Sequence, residues 1–267
     1  MIKLIITGCC GRMGKRLVCL ASELKNFSVA GATERKTHPD IGKDAGSVCG
    51  IGKLDISITD DISNIIGKGD VIVDFTTPLS TINNVNQAKA AHKPIVIGTT
   101  GLTDEEMRIV KTASSSIPIL LSPNMSIGVN MVFNIIGSVA RDLGGDYDIE
   151  IIEAHHNQKK DAPSGTAKRL VGEILQAKGK SKKYRLVYGR EGSIGKRPKD
   201  EIGIHAVRAG DIIGDHTVIF AGQNERIEIT HRAHSRDAFA MGALRACRYI
   251  IDKSPKLYNM QDVLGGI

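Results

Sequence analysis

The stretch Ile2–Leu24, IKLIITGCCGRMGKRLVCLASEL, decides the fold. Its first six residues form an apolar run of strand length that ends at a glycine-rich turn, and Met13, Leu17, Leu20, Ala21 and Leu24 then recur at helical spacing. A strand, a glycine turn and a helix in that order occupy the place of a dinucleotide fingerprint. Gly8, Gly11 and Gly14 are spaced G-x-x-G-x-x-G, so register with the usual G-x-G-x-x-G puts Cys9 at its first glycine. The motif needs close backbone approach to a pyrophosphate and tight packing of the helix on the strand, and Gly11 and Gly14 still meet both needs. The helix start adds free N–H groups and a partial positive charge, worth about 0.3–1 kcal/mol per favourable anionic charge. Arg12 adds a side-chain contact.

Working outward, Glu34 stands twenty residues after Gly14, at the end of the second strand candidate, FSVAGATE. A carboxylate there can accept hydrogen bonds from ribose hydroxyls. Arg35 follows it, and a guanidinium suits a 2′-phosphate, so the pair predicts tolerance of NADH and NADPH alike. Lys36 reads as part of an exposed charged turn. Three further strand candidates, DVIVDF, PIVIGTTG and IPILL, alternate with helical patterns near residues 79–92 and after the T-x-x-E capping box of Thr103 and Glu106. Short all-apolar strands alternating with helices predict a parallel sheet covered on both faces. The segments DFTTP, GTTG and SPNMS fall at the carboxyl ends of these strands, the edge where such sheets bind ligands.

Past a helical segment near 127–143 the pattern changes. YDIEIIEAHH, YRLVYG, IGIHAVRAG, HTVIFAG and RIEITHRA are strand candidates with few intervening helices, which predicts an antiparallel or mixed sheet. A final helix near 236–252 resembles the first half. The expectation is therefore an α/β chain: a Rossmann-type dinucleotide-binding domain over 1–126, completed by 236–267, with an α+β mixed-sheet domain over 127–235.

Composition narrows the function classes. The chain has 267 residues, 41% hydrophobic and 24% charged, which is ordinary globular composition. No apolar run approaches the roughly 20 residues of a membrane helix. The apolar start is too short for a secretory signal, so a cytoplasmic protein is expected. Five cysteines lack C-x-x-C pairs and read as reduced thiols. The net charge of +7 suggests an anionic partner, but the basic residues are scattered and there is no nucleic-acid motif. A small anionic substrate or phosphorylated cofactor fits equally well.

The densest chemistry lies in Glu153–Leu170, EAHHNQKKDAPSGTAKRL. His155 and His156 are adjacent, so on a strand they point to opposite faces, and no H-E-x-x-H or Cys/His framework accompanies them. No metal site is expected. Histidine and lysine can instead serve as acid and base. Ser164 or Asp161 caps the helix that follows, with Ala167, Leu170, Val171, Ile174 and Leu175 on its buried face and Gly179 at its stop. Gly165 and Thr166 then form a first turn able to bind a carboxylate. The rival reading is a solvated loop leading to a capped helix.

Taken together, GCCGRMG, VDFTTP, GTTG, SPNMSIGVN, EAHHNQKKDAPSGTA, VRAGDIIGDHTVIF and RIEITHRAHSR resemble the 4-hydroxy-tetrahydrodipicolinate reductases of the diaminopimelate route to lysine, over residues 3 to about 246. The resemblance implies NADH or NADPH as hydride donor, a small cyclic dicarboxylate substrate and a homotetramer built on the mixed-sheet domain. It implies His155 and Lys159 as the acid–base residues, with His156, Gly165 and Thr166 on the substrate carboxylates. Gly8, Cys9, Cys10, Gly11, Arg12, Met13, Glu34, Arg35, Gly98, Thr99, Thr100, Ser122, Pro123, Asn124 and Met125 fall where the family binds cofactor. Cys10 stands where relatives often have glycine, and Lys160 where an apolar residue is common. The rivals to a reductase of this kind are a two-domain dehydrogenase of an amino or imino acid and a silent NAD(H)-binding sensor.

Overall fold

The structure, a computed structural model, describes residues 1–179 and 183–265. The last two residues of the expected C-terminal segment lie outside them. In chain order the elements are β1 (Ile2–Thr7), α1 (Arg12–Glu23), β2 (Phe27–Thr33), α2 (Ala45–Cys49), β3 (Ile58–Thr59), β4 (Val71–Asp74), α3 (Pro78–Ala90), β5 (Ile95–Ile97), α4 (Asp104–Ala113) and β6 (Pro118–Leu121). There follow α5 (Ile127–Asp142), β7 (Asp148–His155), α6 (Gly165–Lys178), β8 (Arg185–Tyr188), β9 (Glu201–Arg208), β10 (Asp215–Ala221), β11 (Arg226–Arg232), α7 (Asp237–Ile250), β12 (Lys256–Tyr258) and α8 (Met260–Leu264). Among the described residues no helix is long and apolar enough to cross a membrane. The described residues divide into two compact units, 1–127 with 236–265, and 128–235.

The first unit is a parallel sheet of the Rossmann type, ordered β12-β6-β5-β4-β1-β2-β3. Alternation along its strands explains why they read as unbroken apolar runs. Leu4 and Ile6 point into a core made with Leu17 and Val18 of α1 and Ala243, Leu244 and Cys247 of α7. Ile5 and Ile72 point the other way, against Val85 and Ala88 of α3 and Val110 and Ala113 of α4. Both faces are covered, so Leu4 to Thr7 and Val71 to Asp74 are buried without a break. Between β1 and β4 the strand order reverses, the switch point that opens a crevice at the strands' carboxyl ends. The Thr103–Glu106 capping box forms with both of its bonds.

The second unit is a mixed sheet ordered β11-β10-β7-β9-β8. β7 pairs antiparallel with β10 and parallel with β9. One face packs on helices: Ile149, Ile151, Ile202, Ile204, Val218 and Phe220 lie against Phe133 and Ile136 of α5 and Leu170 and Ile174 of α6. On β7 this gives strict alternation, with Ile149, Ile151, Glu153 and His155 all buried. A carboxylate and an imidazole thus continue the row that two isoleucines begin.

Candidate functional site

In the first unit the glycine-rich turn is built by close backbone packing. Gly8 has φ +66°, and the Gly11 amide donates to the Gly8 carbonyl at 3.0 Å. A Cβ on Gly14 would stand 2.1 Å from the Gly8 oxygen and 2.6 Å from Cys9 Cα. Only a glycine lets α1 start this close to the turn. No side chain caps that helix start, whose N-cap is Gly11. The cradle therefore offers amide donors to an anion, and it fits a dinucleotide pyrophosphate.

Glu34 lies beside the same turn. Its Oε2 accepts from the Cys10 amide at 3.1 Å and its Oε1 from the Arg35 amide at 2.9 Å. Each oxygen keeps a second acceptor site for a ribose hydroxyl. Arg12, Gly11 and Arg35 are exposed, and Met13 is half-buried against the core.

The other expected cofactor residues divide by what their side chains do. Thr99 is buried, accepting from the Thr76 amide at 3.0 Å and from Thr81 Oγ1 at 2.9 Å. Ser122 is buried and donates to the Asn124 carbonyl at 2.7 Å, while Asn124 Oδ1 accepts from the Ser126 amide. These hydroxyls hold their loops in shape. Thr100 and Pro123 are exposed, and Met125 is buried. Phe75 covers Gly98 so closely that a Cβ there would meet its ring at 2.1 Å. Sequence reading singled out no role for Asp74, which is fully buried at the end of β4. Its Oδ1 accepts from Thr7 Oγ1 at 2.8 Å and Thr76 Oγ1 at 2.6 Å, so it anchors the strand-end turn.

In the second unit the site is organised by Glu153. Its carboxylate has no exposed surface and receives four hydrogen bonds. Arg208 donates both Nη atoms at 2.8 Å, the Ser164 amide donates at 3.0 Å, and His155 Nδ1 donates at 2.6 Å. A carboxylate is an acceptor only, so Nδ1 carries the hydrogen and Nε2 is the nitrogen left to exchange protons. Burial works against the charge on Glu153. The bonds from Arg208, His155 and the Ser164 amide outweigh it and hold the group below the usual carboxylate range. Burial also pushes His155 below the ordinary imidazole value, against the opposing pull of Glu153.

Ser164 is the cap of α6: its Oγ accepts from the Ala167 amide at 3.1 Å. The same Oγ is hydrogen-bonded to His216 Nε2, 3.0 Å away, with the direction set by the ring's tautomer. Burial pushes His216 down to about 3, so its ring is neutral near neutral pH. The rings of His155 and His216 meet edge to face at 5.2 Å. Gly214 faces them, and a Cβ there would lie 3.1 Å from His155 Nε2.

Lys159 Nζ is held by Asp161 Oδ1 at 2.7 Å, while Lys160 is exposed. β7 ends at His155, so His156 lies off the strand and is half-buried. Adjacency therefore separates the two histidines by secondary structure rather than by opposite strand faces. Gly165 and Thr166 open α6. The structure thus brings His155 and the α6 start together through Glu153 and Ser164. The sequence reading did not pick out Glu153, Arg208, Gly214 or His216. A signal existed for Glu153, an acidic residue at an inward position of an alternating strand.

Two sequence profiles match the chain. One described as dihydrodipicolinate reductase, N-terminus, covers residues 2–125, and one described as dihydrodipicolinate reductase, C-terminus, covers 128–264. The 4-hydroxy-tetrahydrodipicolinate reductase of Geotalea uraniireducens is 46% identical over 265 residues, 99% of each chain. That of Trichlorobacter lovleyi is 48% identical over the same span and coverage. Among solved structures, a dipicolinate-bound dihydrodipicolinate reductase from Paenisporosarcina sp. TG-14 superposes with TM-score 0.77 at 25% identity, covering 98% of both chains. An amine dehydrogenase from Mycobacterium smegmatis, at TM-score 0.62 and 12% identity, shares the fold, covering 97% of this chain and 95% of its own.

Proposed function

The chain belongs to the dihydrodipicolinate reductase family, and from that premise we propose that it reduces 4-hydroxy-tetrahydrodipicolinate to tetrahydrodipicolinate in the diaminopimelate route to lysine. It is an oxidoreductase. The observation that carries the site assignment is the Glu153 cluster, which fixes a histidine with one defined exchanging nitrogen and ties it to a helix start suited to a carboxylate.

NADH or NADPH, when bound, supplies the hydride for ring C4. The turn from Gly8 to Met13 holds the pyrophosphate, and Glu34 with Arg35 meets the adenosine ribose with or without its phosphate. Gly98 to Thr100 and Ser122 to Met125 form the rest of that edge. In the second unit the Gly165 and Thr166 amides and His156 receive the substrate carboxylates. The net reduction releases the 4-hydroxyl as water and takes up one proton beyond the hydride. His155 and Lys159 hold and deliver that proton. Burial keeps His155 neutral in the free protein, and a docked dicarboxylate favours its protonated form by direct charge attraction. Asp161 holds the Lys159 ammonium in place.

A homotetramer joined through the mixed sheet is part of this reading. The sheet face opposite α5 and α6 carries Ile152 and Val207 exposed, as an interface between copies requires. Sedimentation measures the assembly directly. A cytoplasmic location suits the five free thiols. The decisive assay follows the absorbance of NADH and of NADPH with the condensation product of pyruvate and aspartate semialdehyde. Oxidation of neither cofactor sinks the proposal. Lys159→Ala is expected to lower kcat sharply while leaving cofactor affinity unchanged, and normal turnover in that variant removes Lys159 from the reaction.

A further inference from the structure

The loop after β2 brings a second set of reactive groups onto the glycine-rich turn. The Cys10 sulfur, a His38 ring nitrogen and an Asp40 carboxylate oxygen all lie within 4.8 Å of one another. Cys9, Cys10 and Glu34 form an overlapping trio at the same spacing. Cys10 belongs to both, in a position where a glycine would serve the turn.

The donor set is the first argument. Thiolate, imidazole and carboxylate together are the ligands of a borderline-soft divalent ion. Bond lengths near 2.0–2.3 Å around a tetrahedral zinc put its donors roughly 3.3–3.8 Å apart, so this trio closes on an ion by side-chain movements of about 1 Å.

Local order is the second. The Cys10 amide is fixed by Glu34 at 3.1 Å. The Asp40 amide donates to His38 Nδ1 at 3.3 Å, and Asp40 Oδ2 lies 3.7 Å from the same nitrogen. Lys43 holds the other oxygen, Oδ1, at 2.7 Å. The side chains of His38 and Asp40 are only 21% and 24% exposed, so they are not waving solvated groups.

Charge then selects the ion. Lys43 already balances part of the Asp40 charge, and Lys15 lines the same depression as Asp40 and Lys43. A hard cation such as Mg²⁺ needs several oxygen ligands and finds one carboxylate already shared. A thiolate-binding ion draws most of its affinity from Cys10 and His38.

We propose that Cys10, His38 and Asp40 bind Zn²⁺ or a similar divalent ion across the glycine-rich turn, and that the bound ion keeps the dinucleotide out. The first half stands on the cluster alone. The second rests on assigning this turn to the cofactor.

Co²⁺ added to the purified full chain tests both halves, because thiolate-to-cobalt charge transfer absorbs in the near ultraviolet and reports sulfur ligation without turnover. Wild type is expected to give that band, and Cys10→Ser to lack it. His38→Ala and Asp40→Asn should weaken Co²⁺ binding at least about tenfold, the loss that even an outer-shell partner causes. Both keep their basal reductase rate, and excess Mg²⁺ leaves the band intact. Saturating NADH is expected to abolish the band, and Zn²⁺ to inhibit competitively against NADH. No band in wild type, or an undiminished band in His38→Ala, overturns the metal site. A His38-dependent band that NADH leaves untouched upholds the metal site and removes the cofactor from this turn.

Discussion

Glu153→Gln isolates the charge that organises the second unit while keeping its shape. In the native protein the carboxylate accepts from His155 Nδ1 at 2.6 Å, twice from Arg208 at 2.8 Å and from the Ser164 amide at 3.0 Å. An amide keeps one acceptor oxygen and presents donors in place of the other. Its NH₂ side faces the Arg208 guanidinium in either orientation, together with Nδ1–H or the Ser164 amide, donor against donor. A hydrogen bond to a charged group contributes about 1.5–3 kcal/mol, which as lost orientation of His155 corresponds to roughly a 10- to 150-fold fall in kcat. Losing the negative charge also removes the pull that opposes burial, so the pKa of His155 falls further. An acid must be protonated to act, so the high-pH loss of activity moves to lower pH in the variant. Steady-state kcat against pH reads both effects. NADH affinity is expected to stay at the wild-type value, since the glycine-rich turn lies in the other unit. Arg208 is partly solvent-exposed, so the stability cost falls below the roughly 3–5 kcal/mol of breaking a fully buried pair. A kcat within about twofold of wild type and a superimposable pH profile would refute the organising role of Glu153.

Gly214→Ala places a methyl group 3.1 Å from His155 Nε2. It is expected to lower kcat/KM for the substrate without changing NADH affinity, as measured by steady-state kinetics and cofactor titration. Gly14→Ala forces a Cβ to within 2.1 Å of the Gly8 oxygen, so α1 must shift off the turn. Weakened NADH binding and a lower Tm are expected, and calorimetry with and without cofactor measures both. Acid stability follows from His216. The unfolded chain takes up its proton below about pH 6.5, but burial delays protonation in the native protein to about 3. Stability is therefore lost as pH falls through this window, by about 2 kcal/mol between pH 6.5 and 5, with buried His155 adding loss of the same sign. Urea unfolding at the two pH values checks this, and a His216→Asn variant should show a shallower dependence.

The first unit was largely legible because its signals are local. Leu4–Ile6 is apolar without a break because both faces of its sheet are covered, and α1 buries Leu17, Leu20 and Ala21 at the spacing the sequence shows. The strands β3 and β12 were not legible. They have two and three residues, too few for a period, and exist only because a longer neighbour at the sheet edge pairs with them. In the second unit the strand candidates were readable, but not that β7 runs antiparallel to β10 and parallel to β9.

The candidate site divides in the same way. His155, Lys159, Gly165, Thr166 and the Ser164 cap fall within a dozen residues, where local pattern and family resemblance could single them out as candidates. Arg208 is 55 residues from Glu153, and His216 is 52 from Ser164. Register brings them in: Arg208 stands opposite His155 on β9, and His216 opposite Glu153 on β10. The sequence by itself determined which segments form a glycine-rich strand-to-helix turn and a capped helix start, because backbone geometry and side-chain period are properties of neighbouring residues. Only the tertiary structure decided that a buried glutamate fixes the histidine's tautomer and that Cys10 meets His38 and Asp40, because hydrogen bonds and ligand clusters depend on distance in space, which strand pairing and loop packing set.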